Sequence, residues 1–231
     1  MICLSMVSHQ KNCYKAVYMH GFVNDALGRK MSKSLKNIIS PYEVIDKHGA
    51  DTLRYYSIGG AKPGFDLNYN FEDMKVKHKN LTVLWNLHKY AIEMAKSLKV
   101  TSAPDGSHRL ELEEKYIFSR LNSAVKKATE TFDDYRLNET PWIAEELFLD
   151  LSRTYIQLTR EKASMGSDEE KKSVLNAVYN VLMGCLKLLA PVAPFITEAM
   201  YQNLRKEFSL KEESIHLYSW PEFKKEAVDQ E

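Results

Sequence analysis

From about Lys75 onward, apolar residues recur at helical spacing. Leu81, Leu84, Leu87, Ala91, Met94 and Leu98 make one stripe, and Ile117, Leu121, Ala124, Ala128 and Phe132 make a second. A third carries Ile143, Leu147, Leu151 and Tyr155, with Pro141 in its first turn. A fourth carries Leu175, Val178, Leu182, Cys185 and Leu189. Pro191 and Pro194 interrupt it before a last helix with Ile196, Met200 and Leu204. A helix with one apolar stripe must bury it against a neighbour. Four to five such helices with short connections predict a bundle over residues 75–231. Residues 100–109 (VTSAPDGSHR) read as a linker, Ser214–Tyr218 as a terminal strand, and the charged tail after Pro221 as loose.

The first 74 residues follow another pattern. Residues 15–19 (KAVYM) alternate and include Val17 and Tyr18, which predicts a short strand. Asn24–Gly28 is a turn signal, and 29–36 lacks apolar periodicity, which predicts a loop. Ser40-Pro41-Tyr42-Glu43 reads as a helix start with a capping box, and Gly49 as its end. Asp51 is placed to cap a second short helix carrying Leu53, Arg54 and Tyr55; Gly59, Gly60, Pro63 and Gly64 then mark a break before an irregular stretch from Phe65 to Phe71. A lone strand near residue 17 is not stable by itself. Since nothing else in this segment reads as its partner, the rest of a sheet is expected upstream, with residues 1–74 the tail of an α/β domain.

Composition narrows the class. Of 231 residues, 44% are hydrophobic and 27% charged, a globular balance. No apolar run approaches the roughly 20 residues of a bilayer span, and Met1–Gln10 lacks the basic start of a signal peptide. A cytoplasmic protein is expected. Cys3, Cys13 and Cys185 show no CxxC spacing, which argues against a disulfide framework and against a zinc site in this segment. The net charge of +1 is uninformative, but 29–36 (RKMSKSLK) holds four basic side chains and no acid, and 75–99 holds six Lys, two His and Glu93 as its one acid. Such runs are commonly solvated faces; polyanion binding is the sharper reading.

The stretch Gly28-Arg29-Lys30-Met31-Ser32-Lys33-Ser34 sets two lysines three apart, beside hydroxyls and a glycine. Such a loop can offer ammonium groups, hydroxyls and backbone N–H groups to a polyphosphate. Lys30–Ser34 is KMSKS, which resembles the second signature of class I aminoacyl-tRNA synthetases. Val17-Tyr18-Met19-His20-Gly21-Phe22 precedes it as the family's last core strand does. Asn37, Pro41, Glu43 and Val44 follow, then Gly49-Ala50-Asp51 and Leu53-Arg54-Tyr55, a run similar to the subgroup handling isoleucine, valine and leucine. The resemblance continues through Leu84-Trp85-Asn86-Leu87, Phe118-Ser119-Arg120-Leu121-Asn122 and Ala190-Pro191-Val192-Ala193-Pro194-Phe195, with Glu198 and Tyr201. Asp150-Leu151-Ser152-Arg153, Tyr155-Ile156 with Arg160, Ser214-Ile215-His216-Leu217 and Trp220-Pro221 resemble the isoleucyl type. Lys36 departs from the pattern, which usually has Gly there; the change would stiffen the loop or add a phosphate contact. The first family signature, His-Ile-Gly-His, does not occur, so the resemblance concerns a fragment, with the amino-acid pocket and editing domain expected upstream.

The resemblance implies a mainly α chain: the tail of a Rossmann-like α/β catalytic domain over 1–74, then an α-helical bundle anticodon-binding domain over 75–231. It implies ATP with Mg²⁺, isoleucine and tRNA, with isoleucine tRNA first among the tRNAs. The amino-acid carboxylate attacks the α-phosphate of ATP and pyrophosphate leaves. The catalytic pair would be Lys33, closing on the departing pyrophosphate, and Lys30, assisting; Lys30, Met31, Ser32, Lys33 and Ser34 would form the ATP-binding set, with Gly28 allowing closure. His20, before a glycine at the predicted strand end, reads equally as a nucleotide neighbour or a partly buried structural histidine. Asp51 and Arg54 are explained by capping and a local ion pair. Lys75, Lys77, Lys79, Trp85, Lys89, Arg120, Arg153 and Arg160 are the candidate tRNA contacts, combining cations with a stacking surface. Trp85 also reads as core, and Arg153 as paired with Asp150. Valyl and leucyl types, or a standalone tRNA-binding module without catalysis, are the alternatives; a helical scaffold with an incidental KMSKS would bind neither ATP nor tRNA.

Overall fold

A computed structural model describes residues 1–104 and 110–223, so the predicted linker lies partly, and the predicted loose tail mostly, outside the described residues. The first segment holds α1 (Ile2–His9), β1 (Val23–Asn24), α2 (Pro41–His48), α3 (Ala50–Gly59) and β2 (Leu67–Asn68). β1 pairs with β2 in parallel, Val23 opposite Leu67 and Asn24 opposite Asn68. The strand predicted over 15–19 is therefore corrected. That stretch is exposed and lies in no strand, its Met19 carbonyl accepting only a loop N–H from Gly64 at 3.0 Å, and the pairing falls at 23–24 with a partner from within the first 74 residues. Asp66 decides the register: its carboxylate accepts the Phe22 N–H at 2.8 Å and the Asn24 amide at 3.2 Å. Gly21 permits the crossing, since a Cβ there would stand 2.2 Å from the Phe65 carbonyl oxygen.

The turn after β1 is as the sequence predicts, closed by Gly28 N–H on the Asp25 carbonyl at 2.9 Å, with Gly28 at φ 75°. Pro41 starts α2 and Gly49 ends it at φ 83°. The capping box is not formed. Ser40 makes no side-chain cap bond, and Glu43 instead pairs with Lys47 at 2.7 Å. A small core of Val44, Tyr56, Leu67, Tyr69 and Met74, with Met31, Ile39, Leu53 and Ala61 against it, holds this segment together.

The helical part comprises α4 (Phe71–Ser97), α5 (Leu112–Asp133), α6 (Thr140–Asp150), α7 (Ile156–Leu158), α8 (Arg160–Met165), α9 (Asp168–Leu189) and α10 (Pro194–Phe208). α4 starts at Phe71, where Asn70 caps it by accepting the Glu72 N–H. The predicted stripes land in the core: Leu81, Leu84, Leu87, Ala91 and Met94 on α4, Ile143 and Leu147 on α6, and Leu175, Val178, Leu182, Cys185 and Leu189 on α9 are buried. α9 is apolar nearly all round from Val174 to Leu189, because it is the central helix, packed by α4, α5, α6 and α10. Gly184 brings it against α5; a Cβ there would meet Leu121 at 2.4 Å.

Two local features differ from the pattern. Leu151–Tyr155 is a π-helical turn between α6 and α7, with Leu151 and Tyr155 both fully buried and the Tyr155 hydroxyl donating to Glu114 at 2.9 Å. Ser214–Tyr218 is not a strand. Ile215–Leu217 forms a 3₁₀ turn, because Glu198 on α10 accepts both the Ser214 hydroxyl at 2.8 Å and the Ile215 N–H at 3.1 Å, folding the chain onto the bundle. Among the described residues no helix is long and apolar enough to cross a membrane. Cys3 and Cys13 are exposed and Cys185 is buried, all as free thiols.

Candidate functional site

Residues 28–37 form a loop closed at its base by two side chains. Asp25, 7% exposed, sits at the end of β1. Its Oδ1 accepts the N–H groups of Leu27 at 3.0 Å and Arg29 at 2.9 Å; its Oδ2 accepts Arg29 Nε at 2.9 Å and the Asn37 amide at 3.0 Å. The hydrogen bonds from Asn37 and then from Arg29 hold its carboxyl well below the usual carboxylate range, against the opposing effect of burial. Asn37 completes the ring. Its amide also donates to the Lys30 carbonyl at 3.2 Å, and its Oδ1 accepts the Ser32 N–H at 2.9 Å.

Above this base the loop turns at 33–36, with Lys36 N–H on the Lys33 carbonyl at 3.3 Å and Ser32 Oγ accepting the Leu35 N–H at 3.2 Å. The Ser32 and Ser34 hydroxyls lie 3.0 Å apart. Met31 is the anchor, packed on the small core, while Lys30, Lys33 and Ser34 are exposed. The Lys30 ammonium lies 5.2 Å from the centroid of the Phe22 ring. Lys36 stands at φ 51°, left-handed backbone that costs a non-glycine residue roughly 1–2 kcal/mol. This is the physical reason a glycine suits the position. His20 is exposed, its Nδ1 2.7 Å from the Gly21 carbonyl oxygen, so the partly buried structural reading does not hold. In the sequence Asp25 is marked only by its place three residues before the turn glycine, Gly28.

The candidate RNA contacts are spread unevenly. Lys79, Lys89, Arg153 and Arg160 are exposed. Trp85 is half-buried, with Lys89 Nζ 5.9 Å from its ring centroid. Lys75 is exposed and paired with Glu72 at 2.7 Å. Lys77 is corrected: it is 9% exposed, its Nζ lies 3.0 and 3.1 Å from the two carboxylate oxygens of Glu145 and 3.6 Å from the Trp142 ring centroid, so its charge is consumed inside the protein. The expected pairing of Arg153 with Asp150 is also corrected. Asp150 accepts Arg120 Nε at 2.8 Å and the Tyr116 hydroxyl at 2.7 Å, and Arg153 stands exposed in the π turn.

Asp51 and Arg54 do something other than local capping. Gly49 is the N-cap of α3, while Asp51 Oδ2 accepts the Ile196 N–H at 2.5 Å and so caps α10 from outside. Burial raises the Asp51 carboxyl above its usual range, in part offset by the N–H groups of Ile196 and Phe195. Arg54 Nε and Nη2 donate to the carbonyls of Val192 at 2.9 Å and Pro191 at 3.1 Å. Both residues thus join the segment after the basic loop to the start of α10.

Residues 1–70 match the family described as tRNA synthetases class I (I, L, M and V), and residues 114–231 match the anticodon-binding domain of tRNA ligase. The chain belongs to the class I tRNA synthetases and carries their anticodon-binding domain. Among curated relatives, the isoleucine-tRNA ligase of Methanothrix thermoacetophila is 35% identical over 97% of this chain and 22% of its own length. That of Methanosarcina barkeri is 38% identical over 98% of this chain and 22% of its own. The chain thus spans about a fifth of the length of these relatives. A solved ternary complex of an Agrobacterium radiobacter K84 LeuRS with tRNA and LeuAMS superposes with a TM-score of 0.75 at 22% identity, over 99% of this chain and 26% of that one. Mycobacterium tuberculosis methionyl-tRNA synthetase bound by methionyl-adenylate gives 0.67 at 18%, over 85% and 40%. At these identities the two structures show the fold: a mainly helical chain built as in class I synthetases.

Proposed function

We propose that this chain is the part of a cytoplasmic isoleucine-tRNA ligase that supplies the KMSKS loop, on residues 1–74, and the tRNA-binding helices, on residues 75–231. The observation that carries this reading is the latched basic loop, in which Lys30 and Lys33 are exposed while the carboxylate at its base is already saturated. A loop with cations outward and no free acid suits a polyphosphate. It offers no ligand to Mg²⁺, which would be held through the phosphates of ATP.

In amino-acid activation, negative charge grows on the departing pyrophosphate. An ammonium that meets this charge lowers the barrier more than it tightens ATP binding. Lys33, at the exposed turn, takes this role and Lys30 assists; the Ser32 and Ser34 hydroxyls add contacts. Losing one such donor typically costs ~3 kcal/mol, roughly a hundredfold in rate. Lys75, Lys79, Lys89 and Trp85 on α4, with Arg120, Arg153 and Arg160, form the basic face offered to tRNA.

Binding of isoleucine and valine tRNAs to the purified chain at two salt concentrations tests this. Binding that favours isoleucine tRNA and weakens with salt is expected. Equal binding of the two would overturn the isoleucine assignment, and no binding at either salt would overturn the RNA-facing role of the helices. The chain alone is expected not to isoleucylate tRNA, because the His-Ile-Gly-His signature is not in it.

A further inference from the structure

We infer that Asp25 and Asn37 are positioning residues for the KMSKS loop: they touch no substrate, and they hold Lys30 and Lys33 in the arrangement that meets a polyphosphate. This rests on reading residues 30–34 as a polyphosphate loop. Three features of the loop's base carry it.

First, the connectivity is a closed ring. Asp25 is fixed by β1 and by the turn amides of Leu27 and Arg29, and Asn37 hangs from it by one amide hydrogen bond. Asn37 then grips the loop at two backbone points on either side of Met31, the Lys30 carbonyl and the Ser32 N–H. Every polar capacity of the Asn37 side chain used here is directed at Asp25 or at the signature itself.

Second, backbone strain is tolerated to make this ring. Lys36 lies at φ 51° immediately before Asn37, and this reversal turns the Asn37 side chain back under the loop. Third, the ring leaves the cations alone. Lys33 is exposed and Lys30 contacts only the Phe22 ring among the described partners of its ammonium, so the latch fixes the main chain without neutralising either charge. A preorganised loop pays its ordering entropy before the anion arrives, which strengthens every contact made afterwards.

The test uses the 231-residue chain, with tripolyphosphate as the probe. Two readouts are the rate of tryptic cleavage after Lys30, Lys33 and Lys36, and the tripolyphosphate Kd by calorimetry at low salt. Asn37→Ala removes both grips on the signature. Cleavage is expected to accelerate about tenfold and Kd to weaken by about fivefold, on the net worth of the hydrogen bonds lost, with the thermal midpoint of the helical bundle unmoved. Asn37→Asp sets two carboxylates against each other and should open the loop further. The exchange Asp25→Asn with Asn37→Asp should recover neither effect, because a carboxylate at 37 faces the Lys30 carbonyl and an amide nitrogen at 25 faces the Arg29 Nε donor. Lys33→Ala should weaken tripolyphosphate binding while cleavage after Lys30 stays slow.

Unchanged cleavage in Asn37→Ala, or faster cleavage with an unchanged Kd, overturns the positioning role. Recovery of both readouts by the exchanged pair overturns the Lys30 and Arg29 contacts as parts of the ring. A wild-type chain that does not bind tripolyphosphate, while Asn37→Ala is cut faster, would leave the latch standing and refute the polyphosphate reading itself.

Discussion

Replacing Lys77 by methionine keeps the length of the side chain and removes its charge. In the folded chain the Lys77 and Glu145 side chains are 11% and 8% exposed, and their charged atoms lie 3.0 Å apart. Glu145 also accepts the Tyr55 hydroxyl at 2.5 Å, and burial together with the Glu145 charge raises the Tyr55 pKa far above its ordinary value. The Lys77 ammonium stands 3.6 Å from the Trp142 ring centroid, close enough for a desolvated cation–π contact. Lys77→Met therefore leaves a buried carboxylate with one hydroxyl as its remaining side-chain donor. Removing one partner of a buried ion pair costs ~3–5 kcal/mol. At about 2–4 °C per kcal/mol for a chain of this size, the thermal midpoint should fall by roughly 6–20 °C. Urea denaturation gives the free energy directly. The double variant Lys77→Met with Glu145→Leu should recover most of the loss, because an apolar pair needs no compensation. The salt dependence of tRNA binding should not change, since an occluded ammonium releases no counterion. A loss below about 1 kcal/mol, or a salt slope smaller by about one charge, would refute the assignment of Lys77 to the interior.

Two further outcomes follow from the loop. Lys36→Gly removes left-handed strain worth roughly 1–2 kcal/mol and adds unfolded-state freedom worth about half of that. The net, read by urea denaturation, should be a stabilisation of up to about 1 kcal/mol. Asp25 has a folded pKa below its unfolded one, so its stabilising contribution is complete above the ordinary carboxylate range and disappears as pH falls through the folded value. Asp25→Asn should thus be less stable than the parent at pH 7, and the two should converge under strongly acidic conditions.

The helical part was legible because burial along a single stripe is a property of sequence period alone. Ile143, Leu147, Leu151 and Tyr155 fit one face on paper and are buried in the fold. The π turn at Leu151–Tyr155 was not legible, since nothing in the residue types there demands an extra residue per turn. The misplaced strand has a similar origin. Lys15–Met19 alternates as a strand would, but pairing was decided by the carboxylate of Asp66, more than forty residues away. Lys77 looked like its neighbours Lys75 and Lys79 because its partner, Glu145, lies on another helix. The KMSKS letters were legible without structure, whereas the ring beneath them needed coordinates: Asp25 and Asn37 are twelve apart and meet only through the turn.

The contacts of Asp51 and Arg54 with residues 191–196 bear on how such chains can be taken apart and recombined. A cut at residue 74 looks natural on a sequence map, yet it separates a carboxylate from the helix end it caps and a guanidinium from the two carbonyls it grips. A chimera that borrows its bundle from a relative inherits a socket shaped for another segment. In exchange experiments the transplantable unit is the bundle together with residues 49–70, since Tyr55 and Gly59 also bond to α6, and recombinants cut before residue 49 should fold where those cut at 74 would begin with a broken joint.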